Sequence, residues 1–166
     1  FRDASAAVFD IGSVRQSDAP GTFLPSANGF YGEEICLLSR YAGLSDNLKV
    51  FSVMEVNPTL DSRMQTSHLA AQLVWFFLEG FSQKQFEVSF LGDQTSSRFT
   101  RYHVTLSDLE SEAIFIKSMI TDRWWMEIRN PAGEPQYLAC SYEDYLMANR
   151  DQVPVRWTRG LLRYGH

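Results

Sequence analysis

The stretch VFDIGSVRQSDAPG, Val8 to Gly21, begins as an apolar strand and ends as a polar loop closed by Pro and Gly. Extended backwards to SAAVFDI, it reads as a strand without polar alternation, which predicts coverage on both faces in a parallel sheet. Asp10 then falls at the strand's carboxyl end, and ligands in open parallel sheets bind outside that end. The same position suits a plainer role, a carboxylate that accepts backbone amides of the following turn. From Gly12 to Gly29 the chain holds three Gly and two Pro, a long irregular connection of the kind that usually carries function.

Outward from this segment the periodicity changes. Ile35, Leu38 and Ala42 recur at helical spacing, Glu33 and Glu34 suit a positive first turn, and Gly43 offers a left-handed cap, so a helix of roughly three turns follows Tyr31. LKVFSVMEV, Leu48 to Val56, predicts a second strand stopped by Asn57-Pro58, with Glu55 at its carboxyl end. Asp61 caps a long helix to about Phe81, apolar around most of its circumference. Strand, helix, strand, helix in this order defines an α/β fold with a parallel sheet, and puts Asp10 and Glu55 on one rim. Glu55 could equally face a helix N-terminus.

Beyond Gly80 the pattern becomes FEVSF, FTRYHVTL, EAIFIKSMI and RWWMEIRN, read as short strands, the last two joined in a hairpin across Thr121-Asp122. Arg129 to Glu134 is a solvated turn, CSYEDYLMANR a helix with a Ser141–Asp144 capping box, and VPVRWTRGLL a last helical turn or two. The expected organisation is residues 1–85 as an α/β part and 86–166 as accessory strands and short helices packed on the same domain. Trp124 and Trp125 should point to opposite faces of their strand, and Tyr142 and Tyr145 should share a helix face.

At 166 residues and 45% apolar, the chain can bury a core. With 15 basic against 20 acidic residues and a net charge of −5, it is a poor match for a nucleic-acid backbone. Trp157 and its aromatic companions therefore read as packing rather than as a stacking platform. Cys36 and Cys140 are too far apart for a metal knuckle and read as buried reduced thiols. The longest apolar run, Leu73 to Leu78, is far short of a membrane span, so a cytoplasmic protein is expected.

VFDIGSVRQSDAPG, NGFYGEE, VMEVNPTLD and TSHLAAQLVWFF together resemble the closing third of the manganese ureohydrolases, the arginase, agmatinase and formimidoylglutamase family, over about residues 5 to 80. The downstream TDRWWMEI and CSYEDY resemble the bacterial formimidoylglutamase branch. The resemblance implies a partial three-layer α/β/α arginase-like fold, Mn²⁺ as cofactor, a small amidine or guanidine as substrate, and a homo-oligomer. It makes Asp10 a carboxylate bridging two manganese ions that activate one water. It makes Glu55 the carboxylate receiving the cationic amidine, and Glu34 a residue that holds loop and helix start together. Asn57 and Pro58 would shape the rim.

Two departures limit the transfer. The second aspartate of the family's Phe-Asp-x-Asp is Gly12, which has no ligand atom, with Ser13 and Asp18 as the nearest candidates in sequence. The family's upstream histidine and Asp-x-His-x-Asp segment have no counterpart. His68, His103 and His166 each read as non-ligands. The expectation is therefore the carboxyl-terminal portion of a longer hydrolase, inactive alone, with an open sheet edge and exposed apolar surface. Its alternative is a metal-deficient relative kept for binding, assembly or regulation.

Overall fold

The computed structural model describes residues 1–107 and 111–164, in two compact units, Phe1–Gln85 and Phe86–His166. His166 lies outside the described residues. The first unit runs β1 (Ala6–Asp10), α1 (Gly32–Gly43), β2 (Val50–Met54) and α2 (Gln65–Ser82). β1 and β2 pair in parallel, Ala6 opposite Val50 through Asp10 opposite Met54. Ala7 and Phe9 share a buried cluster with Ile35 and Cys36 of α1 and Leu69 and Leu73 of α2. Phe51 joins them by stacking on Phe77, ring centroids 4.1 Å apart.

The expected coverage of β1 on both faces is not what the structure shows. Burial along the strand alternates, and Val8, Val50 and Met54, on the face opposite Phe9, are 58%, 54% and 53% exposed. Both helices feed the same cluster, so they cover one face of the sheet. Among the described residues this sheet has two strands, and the outer edge of β1 is unpaired.

The helices meet closely. Ser39 Oγ donates to the Leu73 carbonyl at 2.7 Å, and Arg40 pairs with Glu79 at 2.6 Å. Gly43, expected as a left-handed cap, is instead a contact residue: the helix closes on Leu44 in right-handed geometry. A Cβ at Gly43 would stand 2.2 Å from the Phe77 carbonyl oxygen, and one at Gly80 would stand 2.2 Å from that of Arg40. Two glycines let two backbones touch.

The second unit is an antiparallel sheet ordered β3 (Phe99–Leu106), β4 (Ser111–Ser118), β5 (Trp124–Arg129) and β6 (Pro135–Cys140), followed by α3 (Tyr142–Asn149) and α4 (Val155–Tyr164). Three features differ from expectation. FEVSF is not a strand: Glu87–Phe90 forms a 3-10 turn, because Glu87 is fully buried and accepts hydroxyl hydrogen bonds from Ser118 and Thr121. PQYLAC is a strand that the sequence pattern missed; it opens on Pro135 and lies at the sheet edge, where a residue without an N–H is tolerated. The final helix is also longer than a turn or two.

The tryptophan pair divides as expected. Trp124 joins the cluster holding Phe115, Met126 and Trp157, whereas Trp125 joins Leu91, Ile116 and Ala139 on the other face. Tyr145 stacks on Trp124 and Tyr142 meets the same ring at a tilt. Ser141 and Asp144 form the reciprocal capping box. No helix among the described residues is long and apolar enough to cross a membrane.

Candidate functional site

The parallel register sets Asp10 beside Met54, the last residue of β2, and Glu55 follows it directly, so both carboxylates stand at the carboxyl end of the sheet. Asp10 is exposed, and its Oδ1 accepts the Gly12 N–H at 2.7 Å. The Ser13 hydroxyl donates to the Asp10 carbonyl at 2.6 Å. A carboxylate thus sits where β1 stops because it caps the 3-10 turn Ile11–Ser13. Glu55 is exposed and has a left-handed backbone, φ 62°. Such a conformation costs a non-glycine residue about 1 to 2 kcal/mol. Strain of this size persists only where neighbouring structure enforces it.

The enforcing contacts run through the rim. Asn57 N–H donates to the Gly21 carbonyl at 2.8 Å, and Gly21 N–H donates to Thr66 Oγ1 at 2.7 Å. Buried Asp61 accepts from Thr66 N–H at 3.1 Å and from Ser67 N–H at 2.8 Å. A Cβ on Gly21 would stand 2.5 Å from that of Asp61, so only glycine fits. The N-cap position of α2 is Met64 rather than Asp61, yet the Asp61 carboxylate takes up the first-turn N–H groups of Thr66 and Ser67 and so ties the helix start to the loop. The sequence signal for this is the Asp-x4-Thr-Ser spacing, which does not reveal Gly21 as the partner.

The long loop is ordered by its own contacts. Phe30 N–H donates to Ser13 carbonyl at 2.9 Å and Gln16 N–H to Ser26 carbonyl at 2.8 Å. Arg15 lies 3.7 Å from the centre of the Tyr31 ring and pairs with Asp18 at 3.0 Å. Asp18 in turn accepts the Gly32 N–H at 2.9 Å, and Glu34 accepts the Tyr31 N–H at 2.8 Å. Glu34 therefore holds the loop against the helix start.

Hydrogen bonding from Arg15, then from the Gly32 N–H, holds the Asp18 carboxyl below the usual carboxylate range. At Asp61 burial pushes the pKa up, but hydrogen bonds from Ser67 and Thr66 outweigh it and leave it lowered. Groups with depressed pKa values stabilise the folded state above the ordinary carboxylate range and lose that contribution as pH falls through the folded value. Unit 1 should accordingly lose urea resistance below about pH 4. Asp61→Asn should flatten the curve, as measured by urea midpoints from pH 6 to pH 3.

As a metal site the rim is sparse. No group of three His, Cys, Asp or Glu able to hold an ion occurs among the described residues. At Gly12 a Cβ would stand 3.1 Å from Asp10 Oδ1, so a second carboxylate would face the first, and the glycine leaves that place unfilled. The residues present do not make a two-metal centre. Asp18 is engaged by Arg15 and Gly32. Of the histidines, His68 is exposed on α2, and His103 pairs with Glu112 at 2.9 Å across the β3–β4 hairpin, a carboxylate neighbour that sequence spacing concealed. Cys36 and Cys140 are both buried thiols.

Residues 6–79 match the profile of the Arginase family. Relatives include the formimidoylglutamase of Bacillus subtilis (strain 168), 32% identical over 78 residues, which span 47% of this chain and 24% of that protein. The formimidoylglutamase of Staphylococcus haemolyticus (strain JCSC1435) is 40% identical over 60 residues, 36% of this chain and 19% of that one. The chain thus spans about a quarter or less of the length of the curated relatives it matches. Among solved structures, a formiminoglutamase of Trypanosoma cruzi with Mn²⁺ aligns at 25% identity and a TM-score of 0.46, over 48% of this chain and 27% of that one.

Proposed function

We propose that the chain serves as the carboxyl-terminal part of a manganese-dependent ureohydrolase that hydrolyses a linear amidine C–N bond, N-formimidoyl-L-glutamate giving L-glutamate and formamide. The observation that carries this reading is the strained Glu55 beside Asp10 on one rim, within the residues matched to the Arginase family. In this reading Glu55 accepts the amidinium N–H groups in a charge-assisted hydrogen bond that orients the reacting carbon and supports the charge gathering on its nitrogens. Asp10 contributes one carboxylate to a manganese centre whose other donors lie outside these 166 residues. The protein works in the cytoplasm on a small molecule, within a homo-oligomer and without nucleic acid. The chain alone releases no formamide.

Gly12 favours a second reading, a metal-deficient relative with a binding, assembly or regulatory role. One experiment separates the two. Joined to the amino-terminal region of the protein, the first reading expects bound manganese and formamide release from formimidoylglutamate in preference to agmatine or arginine. Stable protein with neither supports the second. Gly12→Asp should raise manganese affinity at least tenfold if the site is merely weakened, since an added carboxylate is a hard oxygen ligand well suited to manganese. If the joined protein shows neither bound manganese nor formamide release, and Gly12→Asp restores neither, the site is vestigial and the hydrolase reading fails.

A further inference from the structure

Between the first turns of α1 and the first half of α2 lies a cavity of about 860 Å³, which neither Asp10 nor Glu55 borders. That volume falls in the range of small-molecule sites, roughly 300 to 1,000 Å³. Cys36, Leu37, Leu69 and Phe76 give it apolar walls, and Arg63 and His68 border it with nitrogen donors. Neither of these two side chains has a hydrogen-bond or ion-pair partner among the described residues. Two carboxylates border the same space without pairing Arg63. Asp18 is occupied by Arg15 and the Gly32 N–H, and Glu33 stands on the α1 wall. An unpaired guanidinium facing a partly apolar hollow is complementary to an anion with a carbon body.

We propose that this cavity binds a small organic monocarboxylate, its carboxylate held by Arg63 and His68 and its carbon body lying against Leu37, Leu69 and Phe76. Glu33 sets the charge limit: a second negative group on the ligand would meet a like charge, so dicarboxylates and inorganic phosphate bind less well than a monocarboxylate. The site is separate from the amidine-binding rim and stands whether or not that reading holds.

Benzoate is the probe, followed in the 166-residue chain by NMR of the His68 imidazole and the Phe76 ring. Both signals should move saturably, with affinity in the millimolar range expected of one charge-assisted contact on a small apolar body. Arg63→Met should weaken binding about tenfold or more. Leu37→Asp, at a half-exposed position, should do so by repulsion, and circular dichroism checks that both variants keep the fold. Isophthalate and inorganic phosphate should bind more weakly than benzoate, and Glu55→Gln should leave the benzoate response unchanged. No saturable response, equal affinity in Arg63→Met, phosphate binding as tight as benzoate, or loss of the response in Glu55→Gln would each overturn the assignment.

Discussion

Gly80→Ala should destabilise the first unit by about 2 kcal/mol or more, against the usual trend for a helical glycine. In an isolated helix that change gains about 1 kcal/mol, because alanine is the better helix former. Here the added Cβ meets the Arg40 carbonyl oxygen at 2.2 Å, and a backbone oxygen can retreat only if the whole helix moves. Overpacking of this kind costs about 3 kcal/mol or more, which exceeds the propensity gain. Gly43→Ala should behave alike, its Cβ meeting the Phe77 carbonyl oxygen. The two losses should be less than additive, because the displacement that relieves one relieves part of the other. Urea unfolding of the single and double variants, followed by far-ultraviolet circular dichroism, measures this. A neutral or stabilising result for either single variant would show that α1 and α2 do not touch along Ser39–Gly43 and Leu73–Gly80.

Phe115→Ala should cost the second unit about 3 to 5 kcal/mol. The ring is fully buried, meets Tyr145 edge-on with centroids 5.6 Å apart, and shares its cluster with Val104, Trp124 and Met126. Sheet strands hold its neighbours on both sides, so the space left behind cannot collapse well. Phe23→Ala is the matched control: that ring is 72% exposed on the loop and its loss should shift stability by less than about 0.5 kcal/mol. Urea unfolding followed by far-ultraviolet circular dichroism reads both variants, and tryptophan fluorescence follows the second unit separately, since Trp124, Trp125 and Trp157 are all buried there. Equal effects of the two substitutions would mean that Phe115 is not a core residue.

The elements legible in the sequence were those set by local periodicity. β1 and β2 follow from short apolar runs rich in Val and Phe that end in turn residues, α1 from apolar residues at a spacing of 3.6 and α2 from its long apolar run, and the Ser141 capping box follows from two residues three apart. What escaped depended on residues distant in the chain. The role of Gly43 is decided by Phe77, that of Glu87 by Ser118 and Thr121, and the pairing of His103 by Glu112. The strand Pro135–Cys140 escaped for another reason, since its leading proline argues against a strand everywhere except at an edge. At the candidate site, Asp10, Glu55 and Glu34 could be named from motifs, and the turn-capping role of Asp10 could be weighed. The strain at Glu55 and the ties from Gly21 to Thr66 and Asp61 could not, because they exist only once the loop closes on α2.

The parallel pairing of β1 with β2 has a kinetic consequence. These strands meet only after the chain from Asp10 to Val50, with its whole helix, has been looped back, whereas β4 and β5 need only the short turn from Ser118 to Trp124. Closing a long loop before any contact rewards it slows folding, and local hairpins escape that penalty. By this measure the amino-terminal half of the chain is expected to reach its native pairing more slowly than the β4–β5 hairpin.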